Sequence, residues 1–246
     1  MKLFITSSPF VEGADSAVMN PQNGLVEQLK EALPPYCRCL YICSSPDRRD
    51  LNCAFGADIF QIFAQEGMPF SHYAVLDGEN FYEAGKLVRQ SDLIVLAGGH
   101  VPTQNAFFHK IHLPELLQSY DGVVMGISAG SMNMADVVYA QPEEPGEASP
   151  EYARFIPGLG LTDVNILPHY QKVRDYEVDG LRLFEDISYP DSVGNCFFVL
   201  PDGSFIYQDE EHLLLCGKGY SLCDGVMTQL TEDGDILNLL EEENDG

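Results

Sequence analysis

The chain has 246 residues, of which 45% are hydrophobic and 21% charged, a composition typical of a folded globular protein. Its 38 acidic and 13 basic residues give a net charge of −25, which argues against nucleic acid or an anionic membrane surface as a partner because phosphates are repelled. No apolar run reaches the roughly 18 residues of a membrane span. We expect a single domain over residues 1–246, with a solvated acidic tail at 241–246.

The first 130 residues alternate apolar runs, which suit buried strands, with helical patterns. This order predicts right-handed crossovers and a three-layer α/β fold, with helices on both faces of a mostly parallel sheet. A strand at 163–167, a helix near 176–186 and a C-terminal antiparallel β extension follow. The earlier predicted elements are strands at 3–5, 39–43, 73–76, 93–96 and 123–126 and helices near 25–33, 54–65, 81–89 and 104–118.

The cysteines do not suggest a disulfide framework. They number seven, an odd count, include no Cys-x-x-Cys pair and follow no apolar signal segment. Free thiols are typical of a reducing compartment, so we expect a cytoplasmic protein.

The segment Gly126-Ile127-Ser128-Ala129-Gly130 follows a predicted strand and precedes a helical pattern. Gly-x-Ser-x-Gly in that context is typical of a nucleophile elbow, which exposes the serine hydroxyl on a sharp turn, so Ser128 is the candidate nucleophile. Gly99 ends the preceding strand, and its N–H group and that of Ala129 are the candidate oxyanion donors. The alternative is a structural tight turn.

A serine nucleophile needs a base, and the chain has six histidines. His169 follows a predicted strand, where residues of a ligand crevice lie in parallel sheets, and is the candidate base. His100, next to Gly99, is the main alternative. His109 and His112 are three residues apart but lack the further ligands of a zinc site, so no metal is predicted.

These residues together resemble a known family. Gly98-Gly99, Gly126 to Ser131 and Leu167-Pro168-His169-Tyr170, in this order, are similar to the dipeptidase E and cyanophycinase family of serine peptidases, over most of the chain. The resemblance implies a class I glutamine amidotransferase-like fold, a Ser-His-acid triad without cofactor or metal, and cleavage after an acidic residue.

The resemblance also implies the triad acid and a substrate ligand. The family's spacing from the serine falls on Glu143, and Glu144 and Asp136 remain alternatives. A basic residue shortly after the histidine holds the substrate carboxylate in this family. Arg174 fits better than Lys172, because its planar guanidinium can bind a carboxylate with two hydrogen bonds.

We therefore expect a serine peptidase that hydrolyses short peptides through an acyl-enzyme, with an aspartyl dipeptidase-like preference implied by the resemblance. An esterase or deacylase with the same triad, and a non-catalytic amidotransferase-like binding protein, are the alternatives. Leu167 and Ser131 depart from residues frequent in the family, which leaves the substrate open. The expected partner is a small peptide, and a homodimer stays open.

Overall fold

The N-terminal half of the protein forms the parallel part of the main sheet. The structure, a computed structural model, describes residues 1–11 and 18–240, so the predicted acidic tail at 241–246 lies outside the described residues. Near-continuous aliphatic runs form these strands because both faces of a parallel sheet are covered. The strands are β1 (Lys2–Thr6), β2 (Arg38–Ile42), β3 (His72–Leu76), β4 (Leu93–Leu96) and β5 (Val123–Ile127).

Antiparallel strands from the C-terminal quarter extend this sheet. They are β12 (Phe205–Gln208), β13 (Leu213–Cys216) and β16 (Ile236–Asn238). Within the described residues the main sheet has eight strands in the order β16-β13-β12-β1-β5-β4-β2-β3. β1 pairs in parallel with β5 and antiparallel with β12, so it joins the two parts.

Helices connect the parallel strands, as the alternating pattern predicts. α1, for example, buries Leu25, Val26 and Leu29 and begins after a left-handed glycine, Gly24. Among the described residues, every helix is too short or too polar to cross a bilayer. The helices are α1 (Leu25–Ala32), α2 (Arg49–Gln65), α3 (Ala84–Gln90), α4 (Val101–Lys110), α5 (Leu113–Leu117), α6 (Ala129–Met132), α7 (Tyr170–Val173) and α8 (Tyr189–Asp191), with single 3₁₀ turns at Gln22–Gly24 and Phe81–Glu83 and a π turn at Leu183–Ser188.

Residues that follow the parallel strands in the sequence form a second sheet, which has four strands. Its order is β15-β14-β11-β8, and β8 runs parallel to β11. Two small hairpin-like pairs, β6 with β7 and β9 with β10, complete the strands of the described residues. These strands are β6 (Val137–Tyr139), β7 (Phe155–Pro157), β8 (Ile166–Leu167), β9 (Glu177–Val178), β10 (Leu181–Arg182), β11 (Cys196–Val199), β14 (Gly219–Cys223) and β15 (Val226–Thr231).

The α/β fold class, the mostly parallel central sheet and the antiparallel C-terminal extension are confirmed. The helix expected near 176–186 is wrong, because β9 and β10 form a hairpin there. Asp179 and Gly180 between them have φ of 53° and 79°, the left-handed pair that an Asp-Gly hairpin turn requires.

The expectation that the cysteines stay unpaired is also wrong. Cys196 and Cys223 face each other across β11 and β14 and form a disulfide. The two residues lie directly opposite each other in the register of this antiparallel pair, so their Cβ atoms lie close together. The other five cysteines, all in described residues, are free thiols.

Candidate active site

Ser128 stands on a sharp turn between β5 and α6. Its backbone has φ 52° and ψ −113°, outside the regions that residues with side chains usually adopt. The surrounding strands hold this conformation, since the Ser128 N–H donates to the carbonyl oxygens of Thr6 (3.1 Å) and Ser7 (3.0 Å). Such strain persists only where neighbouring structure enforces it, and it presents the hydroxyl at the end of the strand.

The glycines on either side of Ser128 allow this turn to pack closely. A Cβ atom at Gly126 would lie 2.5 Å from the backbone nitrogen of Ser131, and one at Gly130 would lie 2.7 Å from the carbonyl oxygen of Ala97. Both approaches are closer than side-chain carbons tolerate. The Gly-x-Ser-x-Gly pattern is therefore required by the packing of the elbow against β4 and α6.

His169 lies against the nucleophile. Its Nε2 atom is 2.8 Å from the Ser128 Oγ, and the residue follows β8 through Pro168. The backbone at His169 is left-handed, with φ 59°, and its N–H donates to the Ser7 Oγ at 2.8 Å. The candidate base is thus brought to the candidate nucleophile, in an orientation that the backbone fixes.

Asp202 lies on the other side of the imidazole. Its Oδ1 atom is 2.6 Å from His169 Nδ1 and accepts a hydrogen bond from the Ser7 hydroxyl at 2.9 Å, while Oδ2 pairs with Lys172 Nζ at 2.7 Å. Burial alone would raise the pKa of Asp202, but the contacts with His169, Lys172 and Ser7 outweigh it and hold that pKa well below its usual range. A charged carboxylate in this place fixes the Nδ1-protonated tautomer, which leaves Nε2 free to accept the serine proton.

The sheet topology explains why these two residues meet. β8 and β11 are parallel neighbours, so His169 and Asp202, which follow their carboxyl ends, emerge at the same edge. Ser128 follows β5 in the main sheet. The site therefore forms where the carboxyl ends of strands from two sheets meet.

The prediction that Glu143 contacts the histidine is corrected by this geometry. The carboxylate hydrogen-bonded to His169 is that of Asp202, and neither Glu143, Glu144 nor Asp136 makes such a contact among the described residues. Asp136 lines a separate depression with Gly160. The turn after β11 lies next to β8, so Asp202 occupies the position beside Nδ1 that was predicted for Glu143.

The two predicted oxyanion donors lie beside the serine. Gly99 lines the same cavity as Ser128, with φ 154°, a value that favours glycine, and a Cβ there would overlap the Ser44 side chain. Ala129 is the first residue of α6, where backbone N–H groups have no helical acceptor. Within the described part of the chain, no residue accepts a hydrogen bond from either N–H. Their role in binding an oxyanion stays a prediction.

A cavity of about 410 Å³ opens beside the nucleophile. This volume suits a small molecule or a short peptide segment. A larger hollow, of about 490 Å³, lies around Asp92 and Asp121 and contains no serine–histidine pair. The residues lining the cavity beside Ser128 are Gly99, Ser128, Met132, Gln141, Pro142, Glu143, Pro168, His169, Val173, Tyr176 and Leu183.

A second histidine, His100, is fully engaged elsewhere. Its Nδ1 is 2.8 Å from the Thr103 hydroxyl, and its Nε2 is 2.7 Å from Glu147 Oε1. This histidine, the alternative base, therefore has no free ring nitrogen for Ser128. The side chains of His100, Glu144 and Glu147 have ligand atoms within 4.8 Å of one another, close enough to hold a metal ion. The Glu147 carboxylate, however, already accepts hydrogen bonds from the N–H groups of Glu143 and Glu144.

The predicted carboxylate ligand, Arg174, is not among the residues that line the cavity. Its guanidinium pairs with Asp175 at 3.1 Å, and both side chains are largely exposed. Lys172, the alternative, has its ammonium group on Asp202. The structure thus brings neither basic residue to the cavity, and substrate binding by Arg174 stays a prediction.

Sequence reasoning missed two participants, Asp202 and Ser7, and considered Lys172 only as a ligand of the substrate carboxylate. The sequence did contain a signal for Asp202, because it follows an apolar run that forms a strand, as Ser128 and His169 do. Ser7 gave no such signal. Its role depends on the pairing of β1 with β5, which places the end of β1 beside the elbow.

The sequence matches no protein-family model and no curated protein. Among solved structures, the fold is similar to the 1.5 Å crystal structure of a protein described as "a Putative Peptidase E Protein from Listeria monocytogenes EGD-e". The TM-score is 0.59 at 15% sequence identity, and the match covers 94% of this chain and 98% of that one. At this identity, the likeness shows a peptidase E-like fold.

Proposed function

We propose that this protein is a serine hydrolase that cleaves short peptides, with Ser128, His169 and Asp202 as its triad. The observation that carries the proposal is the continuous hydrogen-bonded chain from Ser128 Oγ through both ring nitrogens of His169 to Asp202, with distances of 2.8 and 2.6 Å. The fold likeness to a protein described as a peptidase E favours a peptide substrate over other acyl compounds.

The reaction follows from these contacts. His169 Nε2 takes the Ser128 proton as Oγ attacks the substrate carbonyl, and Asp202 stabilises the imidazolium that forms. The N–H groups of Gly99 and Ala129 hold the oxyanion. His169 then protonates the leaving amine, and the resulting acyl-enzyme is hydrolysed by a water molecule that His169 deprotonates.

Labelling with a fluorophosphonate tests the proposal, because this reagent phosphonylates serines that a neighbouring base activates. We expect one adduct per chain, located on Ser128 by peptide mass spectrometry and absent in Ser128→Ala. Ser131→Ala, in the same elbow, is the matched control and should keep the adduct. An unlabelled wild-type protein would contradict the triad. Hydrolysis of a p-nitrophenyl ester with no cleavage of any dipeptide would contradict the peptidase assignment.

A further inference from the structure

The lining of the cavity beside Ser128 includes one acidic residue. Among the described residues that line it, Glu143 is acidic and none is Lys or Arg. A site that binds an acidic side chain needs a cation within hydrogen-bonding reach of the carboxylate. The two nearby basic groups, on Lys172 and Arg174, are paired with Asp202 and Asp175.

The backbone that carries Glu143 is anchored in place. Its N–H donates to Glu147 Oε2 at 2.8 Å, and the other oxygen of Glu147 contacts His100 at 2.7 Å. Two residues before Glu143, the buried Gln141 side chain donates to the Ser188 hydroxyl at 2.8 Å. These contacts fix the backbone of the loop at Glu143, a residue that lines the cavity.

The electrostatic surroundings leave Glu143 without a fixed cationic partner. The residue is exposed, yet protein atoms displace water from around its carboxylate and raise the pKa of Glu143 to about 7. The negative charges of Glu147 and Glu144 add to this rise, and His100 and His169 oppose it. The Glu147 carboxylate already contacts His100 and accepts hydrogen bonds from two backbone N–H groups. A cation entering the cavity would therefore stabilise the charged form of Glu143 directly, and the net charge of −25 attracts cations to the protein as a whole.

We propose that Glu143 is a specificity-determining residue that binds a cationic group of the substrate next to the scissile bond. The group is either the α-ammonium of the first residue or a basic side chain on it, and both share the chemistry of an ammonium or guanidinium ion. This inference rests on the proposed hydrolase function. If the bound group is a basic side chain, the preference for an acidic residue implied by the family resemblance becomes a preference for a positive one, whereas binding of the α-ammonium is compatible with any first residue.

Binding to the inactive Ser128→Ala variant tests this without turnover. Five dipeptide amides are titrated calorimetrically: Lys-Leu, acetyl-Lys-Leu, Ala-Leu, acetyl-Ala-Leu and Asp-Leu. We expect Lys-Leu amide to bind about tenfold more tightly than acetyl-Ala-Leu amide, a ratio typical of one partly desolvated ion pair. Adding Glu143→Gln should reduce this ratio to below about twofold, whereas the neighbouring Glu144→Gln, outside the cavity lining, should preserve it.

The remaining peptides identify the source of the charge. Tight binding of Ala-Leu amide assigns the α-ammonium group, and tight binding of acetyl-Lys-Leu amide assigns the side chain. Similar affinities for all five peptides, a preference that survives Glu143→Gln, or no binding at about 10 mM would each overturn the inference. A Glu143-dependent preference in a protein whose Ser128 is not labelled would uphold this site and contradict the hydrolase proposal.

Discussion

Two histidine–carboxylate pairs near the cavity, His169–Asp202 and His100–Glu147, have nearly equal lengths, and they differ in what the other ring nitrogen of the histidine contacts. In one, Asp202 lies 2.6 Å from His169, whose other nitrogen faces the Ser128 hydroxyl. In the other, Glu147 lies 2.7 Å from His100, whose other nitrogen contacts Thr103. A histidine–carboxylate pair therefore becomes a candidate for catalysis only where it ends on a strained, cavity-facing hydroxyl.

The carboxylates of the two pairs also do different work. Asp202 is buried and accepts from a hydroxyl and an ammonium group, which keeps it charged behind the imidazole. Glu147 instead accepts the N–H groups of Glu143 and Glu144, at 2.8 and 3.0 Å, and holds the loop beside the cavity. In the proposed mechanism the first pair transfers a proton, whereas the second pair holds the loop beside the cavity.

Matched substitutions of the two histidines give the largest expected difference. His169→Gln should lower kcat by about 10³-fold or more, since the base is lost, with the loss measured on any dipeptide that the wild type cleaves. His100→Gln should lower kcat/KM by less than about tenfold and mainly through KM, because it loosens the loop and leaves the proton-transfer groups in place. Equal losses of kcat in both variants would remove the distinction between the pairs.

A smaller expected effect is the pH dependence of stability that arises from the Glu143 carboxylate. The folded protein raises the pKa of Glu143 from 4.5 to about 7, so the folded state binds more protons than the unfolded chain between these values. The contribution of Glu143 to stability should therefore fall as pH rises from about 4.5 to about 7 and stay constant above.

Urea unfolding at several pH values measures this contribution. Glu143→Gln should gain stability relative to the wild type as pH rises through that window. The size of this gain measures how far folding raises the pKa of Glu143, because linkage makes the two quantities proportional. Glu144→Gln is the control, and a difference between wild type and Glu143→Gln that does not change with pH would show that the pKa is not raised.

The sequence predicted the parts of the site that depend on local order. Five consecutive residues specify the elbow around Ser128, and the alternation of strands and helices predicts that it follows a parallel strand. His169 could be chosen because it also follows a strand. These features need no knowledge of which strands are neighbours.

Asp202 also follows a strand, but its pairing with His169 could not be predicted in the same way. Asp202 reaches His169 because β8 and β11 pair in parallel across about thirty residues of chain, and neither periodicity nor spacing specifies that pairing. The hairpin at 177–182 shows a related limit: its Asp179-Gly180 turn was readable, but the surrounding residues were interpreted as helical. The disulfide between Cys196 and Cys223 likewise depends on cross-strand register.

Fluorophosphonate labelling rates of two variants determine which carboxylate is the triad acid. Asp202→Asn should label about 10³-fold more slowly than the wild type, because the histidine loses the carboxylate that fixes its tautomer. Glu143→Gln should label within about twofold of the wild-type rate, since this reagent carries no cation for Glu143 to bind. A normal rate for Asp202→Asn together with a slow rate for Glu143→Gln would contradict the account and return the role of the acid to Glu143.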